Sequence, residues 1–165
     1  MKRILIVYGT RRGTTENTAN VIAETLILKH GHVVEVTDVK NIRTYKQRLH
    51  EFEIIVVGSS IQSGRWVNRA LRFLKKHDFI NQKVAIFVTA GGILNKEKKY
   101  GMKKEDVIHE AICNYIDRFL PNFRFTPVSK MAFGGMVIRS GKEKFNSWNR
   151  EDIEAWAINL GKILN

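Results

Sequence analysis

The segment that most constrains this chain is Ile4-Leu5-Ile6-Val7-Tyr8, five apolar residues in a row, followed by Gly9-Thr10-Arg11-Arg12-Gly13-Thr14-Thr15. An unbroken, β-branched-rich run is what a central strand of a parallel sheet requires, because helices cover both of its faces. Glu16 to Lys29 then carries a helical pattern, with Val21, Ile22, Thr25 and Leu26 on one face. A strand, a Gly/Thr-rich loop and a helix start make an anion site in this order. The first turn of a helix leaves N–H groups unpaired, and its dipole favours negative charge there. Thr10, Thr14 and Thr15 add hydroxyl donors, and Arg11 and Arg12 add positive charge. An ordinary strand-to-helix turn with Thr15 as N-cap would need none of this crowding of Thr and Arg.

Four further apolar segments read as strands: Val33 to Thr37, Ile54 to Val57, Val84 to Thr89 and Met131 to Val137. Helical patterns separate them. The one around Asn41 to Leu49 is weak and short, whereas Val67, Ala70, Leu71 and Leu74 follow i, i+3, i+4, i+7. A third pattern runs from Val107 to Phe119, and a fourth from Ile153 to Leu164 with Asn149 as its N-cap. Strands alternating with helices mean an α/β fold, with a doubly wound parallel sheet, right-handed crossovers and helices on both faces. A length of 165 residues, without repeat or linker, suits one domain over residues 1–165. Val137 to Asn146 is expected to be a short link to the last helix.

Two common phosphate loops are excluded by spacing. No Gly-Lys-Ser/Thr occurs, so there is no P-loop, and Gly9 and Gly13 do not make Gly-x-Gly-x-x-Gly. A phosphate-responsive receiver module needs carboxylates after the first strand and an Asp after the third. Positions 8 to 12 hold none, and Gly58-Ser59 stands at the phosphoacceptor place. The histidines (His30, His32, His50, His77, His109) are scattered without metal-ligand spacing, and no Ser-His-Asp or Cys-His arrangement offers a nucleophile. Two more loops belong at the same sheet end as the first. Gly58-Ser59-Ser60-Ile61-Gln62-Ser63-Gly64-Arg65-Trp66 follows the third strand, and Thr89-Ala90-Gly91-Gly92 follows the fourth.

Thr10 to Thr15 resembles the phosphate loop of the flavodoxin family, roughly Thr/Ser-x-Thr-Gly-x-Thr, with Arg12 where a hydroxyl residue is usual. The Arg-containing loop, together with Gly58-Ser59-Ser60-Ile61-x-x-Gly64, is similar to the branch that holds the menaquinone-dependent protoporphyrinogen oxidase. The resemblance implies a flavodoxin-like five-stranded sheet in the order 2-1-3-4-5, with its ligand beyond the carboxyl ends of strands 1 and 3. It implies FMN rather than FAD, the terminal phosphate held by Thr10, Arg11, Arg12, Gly13, Thr14 and Thr15. The ring falls to Ser60, Ile61, Gln62, Ser63 and Gly64 on one side, and to Thr89, Ala90, Gly91 and Gly92 on the other. Ser63-Gly64 is a peptide able to flip, since Gly carries no Cβ penalty at positive φ. Trp66 either stacks on the ring or packs on the neighbouring loop. Gly91-Gly92 either approaches the ligand or ends a strand, and Tyr100 is an outer stacking candidate. The function so implied is electron transfer through a flavin, as a carrier or, alternatively, as an enzyme of the quinone-dependent oxidase type. That branch carries a long basic, aromatic insertion after strand 5, and this chain has only Val137 to Asn146 there. The departure counts against the porphyrinogen reaction, not against flavin binding.

The charge is unusual for such a fold. Lys and Arg number 28 against 16 Asp and Glu, a formal net charge of +12. The excess gathers in Arg65, Arg69, Arg72, Lys75 and Lys76 and in Lys96, Lys98, Lys99, Lys103 and Lys104. It favours an acidic redox partner protein, peripheral contact with an anionic membrane or non-specific nucleic acid, unless it is simply a solvated surface; no dedicated nucleic-acid binding is expected. A quinone is the small-molecule alternative that the oxidase resemblance implies. With one cysteine, Cys113 in an apolar helical stretch, no internal disulfide forms. No apolar run is long enough to span a membrane and the N-terminus lacks a signal-peptide pattern, so a cytoplasmic location is expected.

Overall fold

The computed structural model describes residues 1–93 and 100–165. At its centre β1 (Arg3–Gly9), β2 (Val33–Asp38), β3 (Ile54–Ser60), β4 (Lys83–Ala90) and β5 (Ser129–Gly134) form a parallel sheet in the order β2-β1-β3-β4-β5. This is the flavodoxin-like order expected from the sequence. Side chains alternate across the sheet, so each apolar run serves two cores. Leu5 and Val7 face the layer of α2 (Asn68–Lys76) and α3 (Lys104–Tyr115). Ile4, Ile6 and Tyr8 face α1 (Thr14–His30) and α4 (Arg150–Leu164). Ile4 to Val7, Ile55 to Val57 and Ala85 to Val88 are fully buried, which is why these runs show no polar alternation.

The register decides where the site lies. Gly9 pairs with Ser59, Ser60 with Thr89, and Ala90 with Gly134. Four strands therefore end on one line, and the loops after β1, β3 and β4 leave from the same edge. The strand order reverses between β1 and β3, β2 lying on one side of β1 and β3 to β5 on the other, which makes this edge the topological switch point of the sheet.

Three elements differ from the sequence reading. The weak helix around Asn41 to Leu49 is two short 3₁₀ turns, Val39–Tyr45 and Leu49–Glu51, the first capped by the Asp38 carboxylate accepting from Lys40 N–H at 2.8 Å. The helical pattern ending at Phe119 stops at Tyr115 and continues as a 3₁₀ turn, Asp117–Asn122, with Pro121 inside it. Proline lacks the N–H that would extend an α-helix.

The largest difference follows β5. Met131 to Val137 is not one strand. β5 ends at Gly134, and Met136–Arg139 (β6) turns back on Lys142–Asn146 (β7) as an antiparallel hairpin where a short link was expected. Its turn is Ser140-Gly141, both at positive φ, as a tight two-residue hairpin turn requires. Asn149 does cap α4, accepting from Asp152 N–H at 3.2 Å.

Candidate cofactor-binding cleft

The loop after β1 is shaped by its last glycine. Gly13 sits at φ 89° and caps α1, and the Thr10 hydroxyl accepts from its N–H at 2.8 Å. The first intrahelical bond runs from Asn17 N–H to Gly13 O at 3.1 Å. The N–H groups of Thr14, Thr15 and Glu16 thus project from the helix end, where its dipole is positive. Thr10, Arg11, Arg12 and Thr14 line a cleft of about 640 Å³ at this end of the sheet.

Thr15 does something else with its hydroxyl. It is fully buried and lies 2.9 Å from the Thr89 hydroxyl, tying the first helical turn to the end of β4. Only the Thr15 backbone faces the anion side. Thr15 is also not the N-cap, a place that Gly13 takes.

The two arginines part. The Arg11 guanidinium reaches across to the loop after β3 and donates to Ser60 O at 3.2 Å, Arg65 O at 3.1 Å and Trp66 O at 2.7 Å. Partial burial there pushes its pKa below the usual value. Arg12 turns the opposite way and donates to Ile138 O on the hairpin. Each side chain straps the phosphate-type loop to one wall of the cleft.

The loop after β3 supplies Ser60, Ile61, Gln62, Ser63 and Gly64 to the lining. Ile61 N–H still pairs with Thr89 O at 2.8 Å. Gln62 and Arg65 then exchange two backbone bonds of 3.0 Å around Ser63 (φ 50°) and Gly64 (φ 74°). Two successive positive φ values define a type I′ turn, and the serine is the costlier of the two there. Ser59 holds the turn from behind: its hydroxyl accepts from Val67 N–H at 2.9 Å.

Trp66, an even choice between stacking and packing in the sequence, packs. It is 2% exposed, donates Nε1–H to Tyr115 O and meets Phe119 edge-on, and it does not line the cleft. An indole so enclosed has no free face for a ring. Tyr100 is 64% exposed and also outside the lining. Lys96, Lys98 and Lys99 lie outside the described residues.

After β4, Thr89, Ala90, Gly91 and Gly92 reach the cleft, and Ile93 closes its floor. The glycine pair divides its work. A Cβ on Gly91 would meet the Val137 side chain, so this glycine lets the hairpin approach, whereas the same position on Gly92 is open. Ser147 fixes that approach: its Oγ lies 3.2 Å from Gly91 O and from Gly135 O, and accepts from Gly135 N–H.

Two walls were not anticipated. α3 contributes Val107, Glu110, Ala111, Asn114 and Tyr115, and the hairpin contributes Met136, Val137, Ile138 and Arg139. The apolar spacing of Val107 and Ala111 marks a buried face, but nothing local says that part of it borders a cleft. The Ser140-Gly141 dipeptide is the signal that could have revealed the hairpin. Near the loop, burial and the neighbouring Glu16 carboxylate push Tyr8 up to about 12, so its phenol stays protonated at neutral pH.

A helix start, a type I′ turn and a glycine-opened loop meeting at the switch point define a doubly wound protein with a small-molecule-sized cleft where such folds bind ligands. The chain belongs to the flavodoxin-domain family, whose model matches residues 5–157. No match was found among curated protein sequences. Among solved structures, a short-chain flavodoxin associated with a non-canonical PDU bacterial microcompartment is 14% identical with a TM-score of 0.62, each chain covered over 100%. Fusobacterium nucleatum flavodoxin bound to flavin mononucleotide is 17% identical with a TM-score of 0.59, 98% of each chain being covered. Rubredoxin oxygen:oxidoreductase from the anaerobe Desulfovibrio gigas gives 0.65 at 16% identity over 99% of this chain, which spans only 36% of that protein. At such identities the likeness is one of fold.

Proposed function

We propose that the cleft binds FMN and that the protein transfers electrons through it. The observation that carries this reading is the convergence of three loops on one cavity. The loop with the α1 start is anion-seeking, and the other two present backbone and small side chains suited to a flat ligand. The volume of about 640 Å³ falls within the range of about 300–1,000 Å³ usual for small-molecule sites. The donor set fits the group: the Thr10 and Thr14 hydroxyls, the outward N–H groups of Thr14 and Thr15, and Arg12 would hold the phosphate. Gln62 to Gly64 and Ala90 to Gly92 would border the ring. Bound FMN supplies the redox chemistry, and the chain supplies position, charge and exclusion of water. No nucleophile or general base is then required of the protein.

The quinone-dependent protoporphyrinogen oxidase reading rests on loop resemblance alone. The hairpin Met136–Asn146 stands where that branch has a long insertion.

Titration of the flavin-free protein with FMN and with riboflavin tests the proposal. FMN is expected to bind and riboflavin to bind much more weakly, because the phosphate contacts are charge-assisted. Equal affinities would overturn the phosphate assignment, and failure to bind FMN would overturn the reading as a whole.

A further inference from the structure

The helix after the Ser63-Gly64 turn has a charge pattern that folding does not ask for. From Gly64 to His77 the chain contains no acidic residue, yet Arg65, Arg69, Arg72 and Lys76 recur at spacings of four, three and four. All four are exposed, and none forms an ion pair among the described residues. Arg69, Arg72 and Lys76 lie on α2 itself, where like charges at such spacing are destabilising. Six cations elsewhere are paired instead: Lys2, Arg3, Arg48, Lys104, Lys130 and Arg150 each sit within 3.4 Å of a carboxylate.

The stripe also has a direction. Arg65 closes the type I′ turn whose Gly64 lines the cleft, and Arg69 to Lys76 extends about 10 Å further along α2. A second row flanks it, since Lys75 and Arg118 both lie over the Phe119 ring, at 5.8 and 5.1 Å. The apolar side chains of this helix are spent inward: Ala70, Phe73 and Leu74 are buried, and Trp66 with them. An interfacial membrane helix would need an apolar face toward the lipid, whereas half-buried Leu71 packs on the same core and α2 exposes no large apolar side chain.

From this we infer that α2 is the docking surface for a small acidic redox protein, which lays a negatively charged face along Arg65, Arg69, Arg72 and Lys76 and so brings its redox centre to the cleft mouth. The inference rests on the proposed flavin reading. Electron-transfer encounters bury little area and depend on charge for rate and orientation, which is what an unpaired cationic stripe at a redox site supplies.

The test uses an acidic [2Fe–2S] ferredoxin as probe and the FMN-loaded protein. One electron passes from the reduced iron–sulfur cluster to the bound flavin, and stopped-flow absorbance gives the second-order rate. For the wild type this rate is expected to fall at least about tenfold between about 20 and 300 mM salt. R69E/R72E/K76E should lose at least about tenfold of the low-salt rate and its salt response. K29E/K83E/K162E, an equal charge change at the other end of the sheet, should stay within about threefold of wild type. Retained FMN affinity in both variants shows that they fold. Calorimetric binding of oxidised ferredoxin at low salt reads the stripe without any flavin, so a cleft that binds no FMN sinks the functional reading separately. Equal slowing of the two variants would overturn the inference. So would a triple reversal that abolishes binding to anionic lipid vesicles or duplex DNA while leaving ferredoxin unaffected.

Discussion

Arg11 is the residue whose sequence role the geometry changes most, and Arg11→Ala tests the change. The substitution removes donors to Ser60 O, Arg65 O and Trp66 O, and a 3.4 Å contact with the Ser60 hydroxyl. The bond to Trp66 O is the short, half-buried one, worth about 1–2 kcal/mol for a charged donor; the three exposed contacts add a few tenths each. Together they hold the ring-side loop by about 2 kcal/mol. If binding requires that loop in place, both FMN and riboflavin lose affinity by a factor of about 10 to 30. The ratio of the two dissociation constants then stays at its wild-type value. Arg12→Ala and Thr14→Ala should instead weaken FMN alone and pull the ratio toward one. Arg11→Lys falls between, because an ammonium cannot fork across several carbonyls. Quenching of flavin fluorescence during titration measures all of these. An Arg11→Ala protein that loses FMN and keeps riboflavin unchanged would refute the reasoning and return Arg11 to the phosphate.

Thr15→Val should cost about 1–3 kcal/mol in urea denaturation by leaving the buried Thr89 hydroxyl without its partner, and adding Thr89→Val should cost less than the two separate losses summed. His32 is buried with Nδ1 accepting from Lys2 N–H, and burial, then the neighbouring His30 and the N-terminus, push its pKa down. The folded state therefore binds its proton less readily than the unfolded chain. Stability is complete above about pH 6.5 and falls as pH drops below it, a slope that His32→Phe should reduce in thermal melts. Fully reduced FMN is an anion near neutral pH, and each net positive charge near 10 Å favours it by on the order of 0.4–1.5 kcal/mol at dielectrics of about 80 down to 20. With Arg12 lining the cleft, Arg65 beside it and a net charge of +12, the couple producing that anion should be less reducing than in an acidic flavodoxin and should move downward with salt. Potentiometry showing a very low, salt-insensitive couple would refute this.

What the sequence determined by itself was whatever depends on neighbours along the chain. The run Ile4 to Tyr8 had to be a central strand because it shows no polar alternation that would leave one face to water. The Gly/Thr loop and the helix behind it had to leave N–H groups unpaired. Strands alternating with helices left a doubly wound sheet, and the loop resemblance supplied its order. The glycine of Ser63-Gly64 announced a positive-φ turn.

What only the tertiary structure decided was the partner of each side chain. Arg11 and Arg12 are adjacent and chemically identical, yet one bonds the loop after β3 and the other a hairpin carbonyl far along the chain. Thr14 and Thr15 are likewise adjacent, and the helical turn sends one hydroxyl to the cleft and buries the other against Thr89. Trp66 had two homes of equal local merit until α3 and Phe119 enclosed it. The walls made by α3 and the β6–β7 hairpin depend on how the chain returns after β4 and β5. A contact between distant segments leaves no periodicity in either one, and that is why sequence patterns ended at the three loops while the cleft did not.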